Sequence, residues 1–330
     1  MTVLRIGLLS KKRGNFEIQE KFAGRGSVVD RSDAEVSHHE LALAEAGYLV
    51  RRIQWGCNFI HDLRESQVDL VFNVSSMVEA AILEDLAMPY AGSSTAAIAA
   101  ATDKALAKRL WKAAGLPTSP FHVARSERDC ALFEHHPPFD FPLFVKPAAG
   151  RGSAGIDPTS IVENYRQLVQ EVERRHQAIG QPVIIEPFLQ GREITLGILG
   201  NDATARILPP LEIVLPKEHA TVTYTVKQTM DYAALLCPAP LNAAETLMME
   251  HLALQAYHAL GFADYGRIDT ILTEQGPFLL EGNTFAGLMY DPGDTPNSYM
   301  SFMACAEGLR GRDLLDEIVR AAVLRLGIRW

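Results

Sequence analysis

The chain has 330 residues, of which 48% are hydrophobic and 22% charged, with a formal net charge of −9. At about 100 to 200 residues per domain this length predicts two or three compact units, and no apolar run approaches the roughly 20 residues that a membrane helix needs. The acidic balance gives no electrostatic footprint for nucleic acid, which leaves small molecules as the expected partners. Cys57, Cys130, Cys237 and Cys305 lack CxxC or Cys/His spacing, so they read as buried thiols in a reducing compartment, not a zinc site or disulfide framework. The first ten residues hold too short an apolar run for a signal peptide and are followed by Lys11, Lys12 and Arg13, so they read as a first strand and the chain is expected in the cytoplasm.

In chain order, residues 4–9 read as a strand, 37–46 as a helix, 68–73 as a short strand and 78–86 as a helix, which together make a small open α/β unit. Residues 11–31, rich in Gly, Lys and Arg, are expected to form a long loop or lid at its active edge. The next helix has Thr102 as N-cap and Asp103 in its first turn, with Gly115 and Pro117 closing it. Strands at 142–146 and 183–186 then flank a glycine-rich loop and a helix through Tyr165, Leu168, Val169 and Val172. Strands follow at 195–199, 205–213, 267–272 and 278–281, with helices at 243–260 and 312–326. The expected fold class is α/β (α+β) in three units: an N-terminal α/β unit over 1–95, a central unit over 96–190 and a C-terminal unit over 191–330.

The chemistry concentrates in Arg267-Ile-Asp269 and Glu281-Gly-Asn283. If Asp269 pairs with Glu281 across a hairpin, the turn centres on Gln275 beside Gly276 and Pro277, and strand alternation puts Arg267, Asp269, Glu281 and Asn283 on one face. Three hard oxygen ligands beside a guanidinium suit Mg²⁺, although a solvated hairpin with a surface charge pair would show the same residues. Upstream, an apolar strand delivers Lys146 directly before Gly150, Gly152, Ser153 and Gly155. Glycines let backbone N–H groups approach phosphate oxygens, and the lysine adds a point charge; an ordinary turn is the other reading. Glu186 and Glu193 bracket a connector through Leu189 and Gly191, where isolated glutamates are more often solvated.

Order and spacing together give these features their force. Asp103-Lys104, Lys146 with its glycine loop, Glu186-x-x-Leu189-x-Gly191-x-Glu193, Tyr224-x-x-Lys227, Arg267-x-Asp269 and Glu281-x-Asn283-Thr-x-x-Gly287 succeed one another in a pattern that resembles the ATP-grasp ligases, specifically the D-alanine–D-alanine ligase family. The resemblance implies a three-domain ATP-grasp fold whose second and third domains sandwich ATP. It implies that Lys104, Lys146 and Lys227 hold phosphates under the Gly152–Ser153 loop, that Glu186 and Leu189 meet adenine, and that Glu193 binds ribose. Asp269, Glu281 and Asn283 would hold two Mg²⁺ ions, and Arg267 with the Gly287 N–H would stabilise an oxyanion. Asp33 matches the acid that grips a substrate ammonium, though a Ser-Asp before a helix is also an ordinary N-cap; Tyr224 and Ser298 complete the expected substrate set.

The implied reaction joins two amino acids, a carboxylate attacking the γ-phosphate of ATP to give an acyl phosphate that the amine of the second then opens. A homodimer is expected by resemblance. Three departures touch amino-acid recognition: residues 73–79 are shorter than the family's His-Gly-x-x-Gly-Glu-Asp-Gly loop and lack its histidine, Gln228 follows Lys227 where the family often has an aromatic residue, and residues 288–298 differ from its short Ser-containing turn. A ligase or cyclase of a specialised pathway acting on a different amino acid, and a catalytically silent nucleotide sensor, therefore stand as alternatives.

Overall fold

A computed structural model describes residues 3–10, 31–73, 77–150, 152–216, 219, 221–229, 232–291 and 293–329, without the side chains of 31–33 and 228. The expected lid over 11–31 thus falls almost wholly outside the described residues, as do positions 74–76 of the shortened loop. The chain begins as strand and helix alternate: β1 (Arg5–Ser10), α1 (Arg31–Glu45), β2 (Leu49–Gln54), α2 (Phe59–Glu65), β3 (Leu70–Phe72), α3 (Met77–Asp85) and β4 (Tyr90–Ala91). The strands form a parallel sheet in the order β2-β1-β3-β4, as crossovers through helices require. Two helices follow, α4 (Thr95–Thr102) and α5 (Lys104–Ala113).

Asp103, not Thr102, caps α5: its side chain accepts from the N–H groups of Ala105 and Leu106, while Thr102 ends α4 and returns its hydroxyl to the Ile98 carbonyl. Ala97, Ala101, Ala107, Trp111 and Leu116 are buried with Leu196, Ile198, Tyr257 and Ile268, so this helical pair lies in the core beneath the C-terminal sheet.

The central sheet is β5 (His122–Ala124), β6 (Leu143–Pro147), β7 (Ile161–Val162) and β8 (Val183–Pro187), ordered β5-β8-β6-β7 and antiparallel, with α6 (Tyr165–Ile179) laid across it. Leu168 and Val172 of that helix, one turn apart, pack with Leu143, Val145, Val183 and Ile185.

The third sheet runs through β9 (Arg192–Leu199), β10 (Arg206–Ile207), β11 (Leu211–Val214), α7 (Tyr224–Thr229), β12 (Ala234–Leu236), α8 (Ala243–Ala259), β13 (Tyr265–Thr273) and β14 (Gly276–Asn283), with strand order β12-β11-β9-β13-β14 and β10 beside β9. The single strand expected over 205–213 is two, because Pro209 and Pro210 have no N–H to continue a ladder. A hairpin of β15 (Tyr290–Asp291) and β16 (Thr295–Pro296) leads to α9 (Tyr299–Ala306) and α10 (Gly311–Leu326). Leu4, just before β1, and Ile6 and Leu8 of β1 share one core with Leu43 of α1, Met303 of α9 and Leu314 and Ile318 of α10, which fixes the first sheet against the third. No helix among the described residues is long and apolar enough to cross a membrane.

Candidate active site

A cleft of about 560 Å³ opens between the central and C-terminal sheets. Lys104, Lys146, Ser153, Glu186, Leu189, Glu193, Lys227, Asp269 and Glu281 all line it, so nine residues singled out from sequence meet in one place.

The hairpin supplies its metal-like face. Asp269 pairs with Glu281 and Arg267 with Asn283, the register expected. A bulge between Asp269 and Thr270 then pairs Thr270 with Leu279 and leaves Leu280 as the extra residue, so Glu274 and Gln275 share the turn between Thr273 and Gly276. Arg267 grips Asp269 with a two-pronged bond, Nε to Oδ1 and Nη2 to Oδ2, each 2.7 Å. The Thr195 hydroxyl donates to the same carboxylate. Burial acts to raise the Asp269 pKa, but the guanidinium outweighs it and holds the carboxyl down at about 2. The Asn283 amide nitrogen spans the two acids, 3.0 Å from Asp269 Oδ2 and 3.4 Å from Glu281 Oε1. Burial, reinforced by the Asp269 charge, pushes the Glu193 carboxyl up to about 7. Burial and the nearby Arg267 charge lower the Lys227 ammonium. Lys227 and Arg267 both lie over the Tyr299 ring, at 5.3 and 5.1 Å from its centroid, and the Tyr299 hydroxyl pairs with that of Tyr232.

Two carboxylates and an amide side chain on one face of the hairpin are a donor set that fits Mg²⁺, which takes oxygen ligands and keeps several waters. Among the described residues no group of three His, Cys, Asp or Glu side chains is gathered for a metal, so the fit rests on the Asp-Glu-Asn combination.

On the opposite wall, Lys104 opens α5 with its ammonium 3.0 Å from the Gly150 carbonyl and 4.0 Å from Glu281 Oε2. Gly152 and Ser153 both hold positive φ, 62° and 58°, which turns the loop back over the cleft. The Glu186 carboxylate, expected to face an adenine amino group, has both oxygens engaged: Oε1 with Lys146 at 2.6 Å, and Oε2 with Lys108 and the Ser119 hydroxyl, each at 2.8 Å. Burial alone would raise its pKa, yet the two ammoniums hold it down at about 2. Gly191 in the connector lies so close to β13 that a Cβ there would sit 2.4 Å from the Leu272 carbonyl oxygen.

The remaining expected residues are placed as follows. Tyr224 is buried at the start of α7, its N–H bonded to the Ile156 carbonyl at 3.0 Å, which ties the third sheet to the glycine loop. Ser298 is the N-cap of α9 and its hydroxyl is also bonded to Ser301 Oγ and the Met289 carbonyl. Gly287 lies against it, a Cβ there falling 3.3 Å from Ser298 Cβ. Asp33 falls inside α1, and its side chain lies outside the described residues.

The family model described as the D-ala D-ala ligase C-terminus matches residues 110–320. The D-alanine–D-alanine ligase of Cupriavidus taiwanensis is 35% identical over 246 residues, covering 74% of this chain and 71% of the relative. That of Bordetella avium is 35% identical over 245 residues, covering 74% and 73%. The chain belongs to the D-alanine–D-alanine ligase family. The structure of the Bacillus anthracis D-alanine–D-alanine ligase complexed with ATP has a TM-score of 0.70 at 22% identity, over 98% of both chains, and the fold is accordingly ATP-grasp. Family membership makes the protein an ATP-dependent carboxylate–amine ligase that forms an amide bond.

Sequence reasoning passed over several residues of this ligase. Lys108 and Ser119 escaped notice, although Lys104, Lys108 and Trp111 share one buried stripe of α5 and a lysine on an apolar stripe is itself a signal. Tyr299 and Tyr232 carried no motif, because Tyr299 comes over Arg267 and Lys227 only when the segment after β14 folds back, and Tyr232, just before β12, meets the site through the Tyr299 hydroxyl.

Proposed function

We propose that this ligase joins two D-alanine molecules at the expense of ATP, which it binds between its second and third units. The observation that carries the reading is the convergence of Lys104, Lys146 and Lys227 with Asp269 and Glu281 on one cleft. The lysines neutralise triphosphate oxygens under the Gly152–Ser153 loop. Adenine lies along the connector from Glu186 to Leu189, and Glu193 takes the ribose hydroxyls. Asp269, Glu281 and Asn283 hold two Mg²⁺ ions, whose chemistry is to offset the crowded phosphate charge.

The carboxylate of the first amino acid attacks the γ-phosphorus, ADP leaves, and the acyl phosphate remains. The amine of the second then attacks the carbonyl carbon, and inorganic phosphate departs as the amide forms. Arg267 and the Gly287 N–H place positive charge where the tetrahedral oxyanion develops. Asp33 receives the first ammonium, with Tyr224 and Ser298 on the substrate side. An open site would lose the acyl phosphate to water, so closure of the glycine loop belongs to the reaction. The same reading divides the chain near 95 and 190, with residues 95–116 packed under the third unit, and places a homodimer in the cytoplasm.

A different amino-acid pair, or ring closure within one substrate, is favoured by the β15–β16 hairpin and by Tyr299, which lines the cleft directly after Ser298. Phosphate release from Mg-ATP with single and paired D- and L-amino acids, followed by mass spectrometry, decides. D-alanine alone yielding a dipeptide supports the first reading; activity with another pair only supports the second; nucleotide binding without amino-acid-dependent phosphate release would indicate a sensor.

A further inference from the structure

Lys108 is wholly buried, does not line the cleft, and still carries a charge that must be matched. Its ammonium has three protons and three close acceptors: Glu186 Oε2 at 2.8 Å, Ser119 Oγ at 2.7 Å and Thr118 Oγ1 at 2.9 Å. It is fixed. Lys146 is also buried but is held less completely. It lines the cleft, and among the described residues Glu186, at 2.6 Å, is the carboxylate it pairs with. Glu186 divides its oxygens accordingly, Oε1 toward the cleft lysine and Oε2 toward the buried lysine and Ser119.

We propose that Glu186 is the counter-ion Lys146 leaves when a nucleoside triphosphate enters, and that Lys108 is the positioning residue that keeps Glu186 ionised and in place through that exchange. The inference rests on the nucleotide reading of the cleft. Two ammoniums and one carboxylate leave one net positive charge, and it emerges where Lys146 faces the cleft. Without Lys108 the remaining pair is neutral, and drawing Lys146 to a phosphate would strand a buried carboxylate, which is strongly unfavourable. With Lys108 in place, Glu186 keeps an ion pair and a hydroxyl donor after Lys146 departs.

The test is calorimetric titration of the full chain with Mg²⁺ and a non-hydrolysable ATP analogue. Lys108→Met should weaken binding about tenfold or more, and in turnover assays should raise the KM for ATP far more than it lowers kcat. The double variant K108M/E186Q removes the stranded carboxylate and frees Lys146, so it should bind at least about threefold more tightly than K108M alone. A merely structural lysine would give the opposite, two buried lesions compounding each other. Unchanged affinity in K108M, or a double variant weaker than K108M, overturns the exchange. Should K108M fail to fold, Ser119→Ala carries the test, because it keeps both charges while removing one bond to Oε2; about two- to threefold weaker binding supports the exchange and wild-type affinity overturns it. A wild-type protein that binds no analogue would remove the nucleotide reading and the exchange with it, whereas tight wild-type binding without rescue removes the exchange alone.

Discussion

Asp269 and Glu281 face each other across the β13–β14 hairpin on the rung where the ladder slips. Two carboxylates directly opposite are destabilising by roughly 0.2–1 kcal/mol unless cations offset them, and here Arg267 is bonded to one and Lys104 lies 4.0 Å from the other. On the proposed metal reading, a divalent cation would take over part of that offset at Glu281, whose nearest cation is the more distant of the two. Glu281→Gln should therefore leave the melting temperature unchanged or slightly raised without ligand, abolish any Mg²⁺-dependent rise, and reduce phosphate release by about 10²–10³-fold or more. Near-normal turnover in that variant would remove the metal role from Glu281.

Glu193 makes a pH prediction of opposite sense to its neighbours. Its folded carboxyl is raised to about 7 from an ordinary 4.5, chiefly by burial. The folded state thus holds this proton more tightly than the unfolded state does, so the contribution to stability is full below about pH 4.5 and is lost as pH rises through 7. Glu193→Gln should gain ~1–3 kcal/mol over the wild type at pH 8, with the two converging near pH 5. Asp269, held near 2, acts in reverse: its contribution is present above about pH 4 and is lost as pH falls toward 2. Urea unfolding of both proteins across this range would expose a wrong sign directly.

The hairpin also shows what sequence could and could not deliver. Supposing that Asp269 pairs with Glu281 put the turn at Gln275, beside the turn-forming Gly276 and Pro277, and the ladder has that pair. That supposition missed the bulge at Leu280, because one extra residue changes no composition. The strands around Lys146 and Glu186 and the glycine loop were legible, since apolar runs and glycines are local signals. The ion triad was not: an isolated glutamate such as Glu186 is more often a solvated charge, and only when β6, β8 and α5 are brought together do Lys146 and Lys108 reach it. The helix start at Asp103 was misplaced by one residue because Thr and Asp are both good caps, and the presence of α4 just upstream decides between them.

The glycine loop ends at an anchored point. Asp157 accepts from the Thr159 N–H and from Arg174 at 2.8 Å, Arg174 also pairs with Glu171 of its own helix, and the preceding carbonyl, that of Ile156, takes the Tyr224 N–H. Asp157→Ala removes a cap and an ion-pair partner at once, with an expected cost of about 1 kcal/mol in stability. Because the anchor fixes where the loop closes, the KM for ATP should rise several-fold. A loss of stability with an unaltered KM would show that the anchor serves the fold alone.

Gly191 gives the most discriminating backbone test. A methyl group there would meet the Leu272 carbonyl oxygen at 2.4 Å, and Leu272 is the cross-strand partner of Arg192, so relief requires β9 and β13 to part beside the cleft. Gly191→Ala should cost about 1–3 kcal/mol, the range for overpacking a rigid site, and should weaken binding of an ATP analogue because Leu189 and Glu193 flank the displaced residue. Gly56→Ala is the control: nothing lies within 4 Å of its Cβ position and its φ is not in the left-handed region. Both changes reduce the entropy of the unfolded chain alike, so any difference between them measures the clash. Equal stability and equal nucleotide affinity in the two variants would mean that the connector tolerates a side chain and that its glycine is not what holds the 189–193 segment against the cleft.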